Sequence, residues 1–264
     1  MLDIIIAVAL LTVVGFLCSV MLVIASNLFK VETNPKTDLV RVCLPGANCG
    51  ACGYAGCDGY AHALAEGIEE NVGLCTPGAA KVAADVAEVL GVTAAEVTRK
   101  VALVSCNGTC DKTESRADFA GSKSCASAKL IYGGGGKCIY GCIGLGDCVT
   151  VCEYDAIHVV DGVAKVDVNS CTACGRCAKK CPNGLISIIP ADKPVAVKCS
   201  NTDKGAVAMK NCKAACIGCM KCTKVCPNEA ITVENNLARI DYSKCIACGA
   251  CADACPTGAI KFKK

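Results

Sequence analysis

Two cysteine runs near the C-terminus constrain this chain more than any other feature. Cys216, Cys219, Cys222 and Cys226 are followed by Pro227, and Cys245, Cys248, Cys251 and Cys255 are followed by Pro256. Each run reads C-x2-C-x2-C-x3-C-P, a spacing that wraps three thiolates around one [4Fe–4S] cube and lends the fourth to a neighbouring cube. The proline then turns the chain away, because it cannot continue a helix. Two ligand sets follow: Cys216, Cys219, Cys222 with Cys255, and Cys245, Cys248, Cys251 with Cys226. Zinc held by paired cysteines is the competing reading. It leaves the third cysteine of each run idle and has no need of the proline.

Of 264 residues, 27 are cysteine. Most fall in cluster spacing, so free thiolates in a reducing compartment are expected in place of a disulfide scaffold. The chain has no tryptophan, 4% aromatic residues and 26 glycines, which leaves little material for one large core. Several small modules stapled by inorganic cubes are expected instead. Lys+Arg 27 against Asp+Glu 24 gives nucleic-acid binding no electrostatic support.

One constant offset along the chain lays Cys171, Cys174, Cys177 and Cys181 on Cys245, Cys248, Cys251 and Cys255, and Cys142, Cys148 and Cys152 on Cys216, Cys222 and Cys226. The second half is therefore a bacterial-ferredoxin-like module in tandem. Each copy has a hairpin between its runs, turning at Asp161-Gly162 and at Asn235-Asn236. His158 falls on the first hairpin as a packed or exposed ring, not a ligand.

The copies differ where Leu145 replaces the counterpart of Cys219. Cys138, four residues before Cys142, is expected to supply the missing thiolate, giving the sets Cys138, Cys142, Cys148, Cys181 and Cys152, Cys171, Cys174, Cys177. Glu153 also replaces the proline after Cys152. Five cysteines remain, Cys106, Cys110, Cys125, Cys199 and Cys212; four of them converging on a sixth cluster, or all of them surviving as buried structural residues, are the two readings.

Upstream, Cys49, Cys52, Cys57 and Cys75 form a C-x2-C-x4-C-x17-C set within one glycine-rich segment, which reads as a self-contained [4Fe–4S] site with Cys43 as a spare thiol. A zinc ion on the same thiolates is the alternative. Residues 79–90 have helical periodicity ending at Gly91, and Thr93-Ala94-Ala95-Glu96 reads as a capping box opening a second short helix. Residues 101–105 read as a strand. Gly133 to Gly136 with Lys137 lacks the first glycine and the Ser or Thr of a phosphate loop and reads as a flexible linker.

From Ile4 to Phe29 no residue is charged, a run long enough to cross a bilayer. It begins at an acidic residue and is longer than a signal-peptide core, which favours a permanent anchor. Cys18 lies inside it as a small apolar residue. Lys30, Lys36 and Arg41 follow while Asp3 precedes, so the bulk of the chain is expected on the cytoplasmic side of the cell (inner) membrane. No strand–GxGxxG–helix unit is present, so neither NAD nor flavin is expected on this chain, and one span cannot form an ion pathway. The expected fold is α+β: a transmembrane helix over 1–29, a small helical single-cluster domain over 30–104, a cysteine-containing connector over 105–137, and ferredoxin-like modules over 138–190 and 191–264.

The N-terminal span, the Leu44-Pro45-Gly46-Ala47-Asn48-Cys49-Gly50-Ala51-Cys52-Gly53-Tyr54-Ala55-Gly56-Cys57 signature and the downstream runs together resemble the B subunits of Rnf electron transport complexes. The segment Cys138-Ile139-Tyr140-Gly141-Cys142 onward and the second ferredoxin pair are similar to the long form found in clostridial-type anaerobes. The resemblance implies an electron-transfer subunit of a ferredoxin:NAD+ oxidoreductase that moves Na+ or H+. Soluble ferredoxin is then the donor, and multi-span subunits and an NAD/flavin subunit are the partners. A membrane-anchored polyferredoxin feeding another reductase, including one that keeps a redox-sensing regulator reduced, is the second reading.

Overall fold

The computed structural model describes residues 2–28, 34–94, 96–131 and 133–262. Helix α1 (Leu2–Leu28) carries no charge after Asp3, and its residues Val8–Ser26 form a stretch long and apolar enough to cross a membrane. Leu10, Phe16 and Leu22 are exposed, so no other described part of the chain covers this helix. Phe29 and Lys30, which bear on the end of the span and on its sidedness, lie outside the described residues.

Three helices build the next unit. Asn34 caps α2 (Pro35–Cys43), its side-chain oxygen accepting from Lys36 N at 3.0 Å, with Pro35 in the first turn where a missing N–H costs nothing. Helix α3 (Cys57–Ala65) buries Tyr60 and Leu64 against Val40 of α2 and Val82 and Val86 of α4 (Ala79–Leu90). Tyr60 is 1% exposed, and its hydroxyl donates to Asn71 O at 2.7 Å and accepts from Leu74 N. Gly91 ends α4 in the left-handed region at φ 71°, as its position past the last apolar residue suggested. The second short helix is absent over residues 92–94 and 96–99; Ala95 lies outside the described residues. The chain instead becomes extended, because Arg99 O accepts from Ala191 N and opens a ladder.

That ladder joins β1 (Lys100–Val104) to β4 (Ile186–Pro190), antiparallel from Lys100 opposite Pro190 to Val104 opposite Ile186. Residues 100–104, expected to close the single-cluster domain, are thus the first strand of the first ferredoxin-like unit. Between them come α5 (Cys125–Leu130), α6 (Asp147–Thr150), the hairpin β2 (Ile157–Val160) and β3 (Val163–Val166), and α7 (Arg176–Lys180). The second unit repeats the plan. Strand β5 (Val195–Val197) pairs with β8 (Ile260–Phe262), enclosing α8 (Gly205–Asn211), α9 (Lys221–Lys224), the hairpin β6 (Ile231–Glu234) and β7 (Leu237–Ile240), and α10 (Ala250–Asp253).

The internal repeat reaches the backbone dihedrals. Positive φ recurs at Ala173 and Ala247 (57° and 58°), at Asp155 and Glu229 (48° and 50°), and at both residues of each hairpin turn, Asp161-Gly162 and Asn235-Asn236. Two consecutive left-handed residues make the turn whose twist matches a two-stranded ribbon. Gly133 to Gly136 are tied down: Arg116 N and Ala117 N donate to Gly135 O, and Lys137 N to Glu114 O. The flexible linker expected there is part of a short paired segment.

Candidate metal centres

Each unit brings thiols together at the start of very short helices. In the second unit Cys216, Cys219, Cys222 and Cys255 line one cavity and Cys226, Cys245, Cys248 and Cys251 another, the two groups expected from the spacing. In the first unit Cys152, Cys171, Cys174 and Cys177 line the matching cavity. Left-handed residues at Gly175, Gly249 and Met220 precede α7, α10 and α9 and swing the chain so that the helical cysteine faces its cavity. Backbone amides point at the sulfurs: Ala156 N donates to Cys152 Sγ at 3.4 Å and its repeat partner Ala230 N to Cys226 Sγ at 3.3 Å. Such hydrogen bonds stabilise negative charge on sulfur and are one of the levers on a cluster's potential.

In the single-cluster unit Cys57 and Cys75 are buried in the core, with Cys52 packed against it. The charges of Cys57, Cys49 and Cys52 all act on Cys75, placing the four thiols in one another's field. Asn48 Oδ1 accepts from Cys57 N at 2.8 Å and closes the loop over them. Cys43 packs on the same core from α2, where burial and then Asp85 and Glu88 raise its pKa.

The remaining cavity of the first unit differs from the expected set. It is lined by Cys125, Cys142, Cys148 and Cys181, and Cys138 is not among them. Cys125 opens α5, whose N-terminus is held by Asp147: Cys125 N donates to Oδ1 at 2.8 Å, Ala126 N to Oδ2 at 3.1 Å, and Ser124 Oγ to Oδ2 at 3.0 Å. Asp147 is 6% exposed. Burial pushes its carboxyl up, but these three donors outweigh burial and hold it below the usual carboxylate range. Cys125, a thiol from well upstream of the run, lines this cavity where Cys138 was expected, and no local spacing could have revealed it. Asp147, two residues after Leu145 and opposite Lys221 of the other copy, was the available signal.

Cys138 lines a separate cavity with Cys106, Cys199 and Cys212, where Cys142 also reaches the wall. Of the five unassigned cysteines, three meet there. Cys125 does not, and exposed Cys110 sits against the β2–β3 turn, its N–H donating to Asp161 O.

Burial is the first cause raising most of these thiols, with neighbouring cysteine charges adding to it; Cys148 is pushed up to about 12, and Cys177 and Cys251 to about 11. Cys255 goes the other way: burial raises it, but the Ile260, Thr257 and Ala259 N–H groups and the Thr257 hydroxyl prevail. A buried thiol with a raised pKa gives up its proton when a cation replaces it, so loading releases protons. Among the described residues no group of three or more His, Cys, Asp or Glu is close enough for one metal ion. Zinc would need four sulfurs at about 2.3 Å from a single centre. Four thiols around an open cavity with amide donors behind them fit an iron–sulfur cube.

Comparison with known proteins points the same way. A model described as a putative Fe-S cluster matches residues 44–77, and two models of 4Fe-4S dicluster domains match 170–231 and 215–259. The chain is 46% identical over 242 residues to the B subunit of the Na(+)-translocating ferredoxin:NAD(+) oxidoreductase complex of Acetobacterium woodii, covering 91% of this chain and 72% of that protein. It is 40% identical to the B subunit of the proton-translocating ferredoxin:NAD(+) oxidoreductase complex of Clostridium ljungdahlii, covering 91% and 85%. It is also 40% identical to the B subunit of the ion-translocating oxidoreductase complex of Methanosarcina acetivorans, covering 90% of each. The chain belongs to the family of these B subunits. A member of this family is an iron–sulfur electron-transfer subunit of an ion-translocating ferredoxin:NAD+ oxidoreductase.

Proposed function

We propose that this B subunit accepts electrons from reduced soluble ferredoxin at its second ferredoxin-like unit. It passes them through the first unit to the single-cluster unit beside the membrane anchor. One observation carries this direction: among the cysteines that line the tetrads, those classed as exposed are Cys219 and Cys248, both on the second unit. A diffusing donor must bring its own cluster close, and exposure is what admits it.

The proposed ligand sets are Cys49, Cys52, Cys57, Cys75; Cys125, Cys142, Cys148, Cys181; Cys152, Cys171, Cys174, Cys177; Cys216, Cys219, Cys222, Cys255; and Cys226, Cys245, Cys248, Cys251. When bound, the cubes supply one-electron redox chemistry; the chain's own residues hold them, aim N–H groups at sulfur and exclude water. Two electrons leave ferredoxin, and elsewhere in the complex NAD+ and one proton take them up as NADH. NAD and flavin belong to another subunit and the ion path to multi-span subunits.

The link between the first unit and the single-cluster unit is explicit. Arg176 Nη2 donates to Ala47 O at 2.8 Å while the same guanidinium pairs with Glu153, and Thr76 Oγ1 donates to Ala173 O at 3.2 Å. These contacts lie beside Cys49, Cys75 and Cys174 and support a hop between those two sites. Lys36 and Arg41 after the span support a single-pass anchor with the bulk of the chain in the cytoplasm.

The entry site is tested with Ile246→Glu, an exposed apolar position next to Cys245. In the assembled complex the variant raises KM for reduced ferredoxin and keeps kcat; an unchanged KM overturns entry at this unit. Copurification of multi-span and flavin-containing chains from detergent-solubilised membranes supports the partner assignment, and isolation as a lone chain favours the polyferredoxin reading.

A further inference from the structure

We propose that Cys106, Cys138, Cys199 and Cys212 hold an additional [4Fe–4S] cluster at the seam between the two ferredoxin-like units, bridging them into one relay. The proposal rests on the electron-relay reading above. Of its four residues, Cys106 and Cys138 lie outside every matched family segment.

The site is assembled from equivalent places in the two copies. Cys106 lies two residues after β1 and Cys199 two residues after β5; Cys138 and Cys212 each lie four residues before the first run cysteine of their unit, Cys142 and Cys216. Each unit therefore contributes one thiol from behind its first strand and one from ahead of its first run. The constant offset between the copies maps Cys138 onto Cys212 but misses the other pair. Cys106 and Cys138 are much further apart along the chain than Cys199 and Cys212, and the extra length belongs to the segment that carries Cys125.

The surroundings are those of an anionic sulfur site. Asn201 is 1% exposed, and its side-chain amide donates to Cys138 Sγ at 3.7 Å. Asn201 N donates to Cys199 Sγ at 3.4 Å. Gly108 leaves the cavity open, because a Cβ there would lie 3.3 Å from Cys212 Sγ and 3.7 Å from Cys106 Sγ. Ala208, Ala214 and Ala215 pack behind Cys212, with Cys138 and Cys199 against them, and close the site from water. Among the described residues no three such side chains converge closely enough for a single ion as they stand.

Its neighbours make it a bridge. Cys142 N, from a tetrad of the first unit, donates to Cys106 Sγ at 3.4 Å, and Cys216 N, from a tetrad of the second, donates to Cys199 Sγ at 3.3 Å. A ligand residue of each adjoining site thus touches a ligand sulfur of this one. Cys106, Cys138, Cys199 and Cys212 would hold a one-electron carrier between the group of Cys216, Cys219, Cys222 and Cys255 and that of Cys125, Cys142, Cys148 and Cys181. An electron given up by the Cys216 group would be taken up in turn by this carrier and by the Cys125 group. No bond is made or broken and no proton is required.

The full chain, purified anaerobically in detergent, is assayed for iron, acid-labile sulfide and zinc. The expected content is about 24 Fe and 24 sulfides, six cubes of four. Cys138→Ala and Cys212→Ala should each lose about four Fe, and the double variant no more than either, while Cys110→Ala loses none. About 20 Fe in the unaltered chain, with or without one zinc, overturns the bridge and leaves the five-site relay standing. A colourless, zinc-loaded chain overturns the relay itself. If Cys212→Ala does not fold, the count on the unaltered chain still decides. Rapid-freeze paramagnetic resonance of Cys212→Ala mixed with reduced ferredoxin should show the second unit reduced at the normal rate and the first unit lagging; equal rates overturn the bridging role.

Discussion

The two ferredoxin-like units share a backbone plan but bring four cysteines to their first cavity by different means. In the second unit one compact C-x2-C-x2-C run carries Cys216, Cys219 and Cys222, and Cys219 is exposed. In the first unit Leu145 stands at that corner, and Cys125 arrives from a longer upstream segment, held by Asp147 and buried. The repeat partner of Asp147 is Lys221, which is exposed. A second exchange accompanies the first: Pro227 and Ala250 are replaced by Glu153 and Arg176, which pair with each other while Arg176 holds the Ala47 carbonyl. Cys219 and Cys248 of the second unit are exposed, while the cysteines lining the two cavities of the first unit are buried or half-buried. Duplication supplied the scaffold, and a few exchanges tied the first copy to the single-cluster unit and left the second copy without that contact.

The largest effect should come from Cys125→Ala, which removes about four Fe from the first unit, while adding Leu145→Cys to that variant restores them by recreating the local run. Full iron content in Cys125→Ala would break the contrast at its root. Next, Asp147→Asn deprives the α5 N-terminus of a charged acceptor and should cost about 1–2 kcal/mol locally, read as faster loss of iron from the first unit to a chelator. Lys221→Asn at the equivalent place should leave the second unit's loss rate unchanged. Arg176→Ala removes an ion pair and an inter-unit hydrogen bond, worth about 1 kcal/mol, and should raise amide hydrogen exchange over residues 45–56 without touching iron content. Unchanged exchange there would show that the first unit does not clamp the single-cluster loop. Smallest of all, Asn236→Gly in the second hairpin should shift stability by less than about 0.5 kcal/mol, because Gly162 already serves at the equivalent turn position. A larger loss in chemical denaturation would mean that the Asn236 side chain, which donates to Thr202 O at 3.0 Å, does more than turn the chain.

The cavities group cysteines as their spacing suggested where these are close along the chain, and group them otherwise where they are far apart. The run cysteines, the α4 helix with its Gly91 stop and both hairpin turns follow from spacing and from residues that accept a left-handed backbone. The β1–β4 pairing did not, because nearly the whole of the first unit intervenes between Val104 and Ile186, and β1 alone resembles any short apolar run. That Cys125 and not Cys138 lines the cavity of Cys148 and Cys181 was hidden for the same reason. Cys138 is nearer in sequence, but the Asp147 carboxylate brings Cys125 nearer in space.

By itself, then, the order of residues determined that this polypeptide carries several four-thiol sites, that its second half is a duplication, and that an apolar N-terminal helix precedes them. Those properties are local, written in short cysteine intervals or in one uninterrupted apolar stretch. Tertiary structure alone decided which distant thiols share a cavity, which copy leaves two of its cavity-lining cysteines exposed, and that Cys106 and Cys138 face Cys199 and Cys212 across the seam. Such pairings depend on strand ladders and a buried carboxylate closing long loops, and no interval along the chain encodes the distance those closures remove.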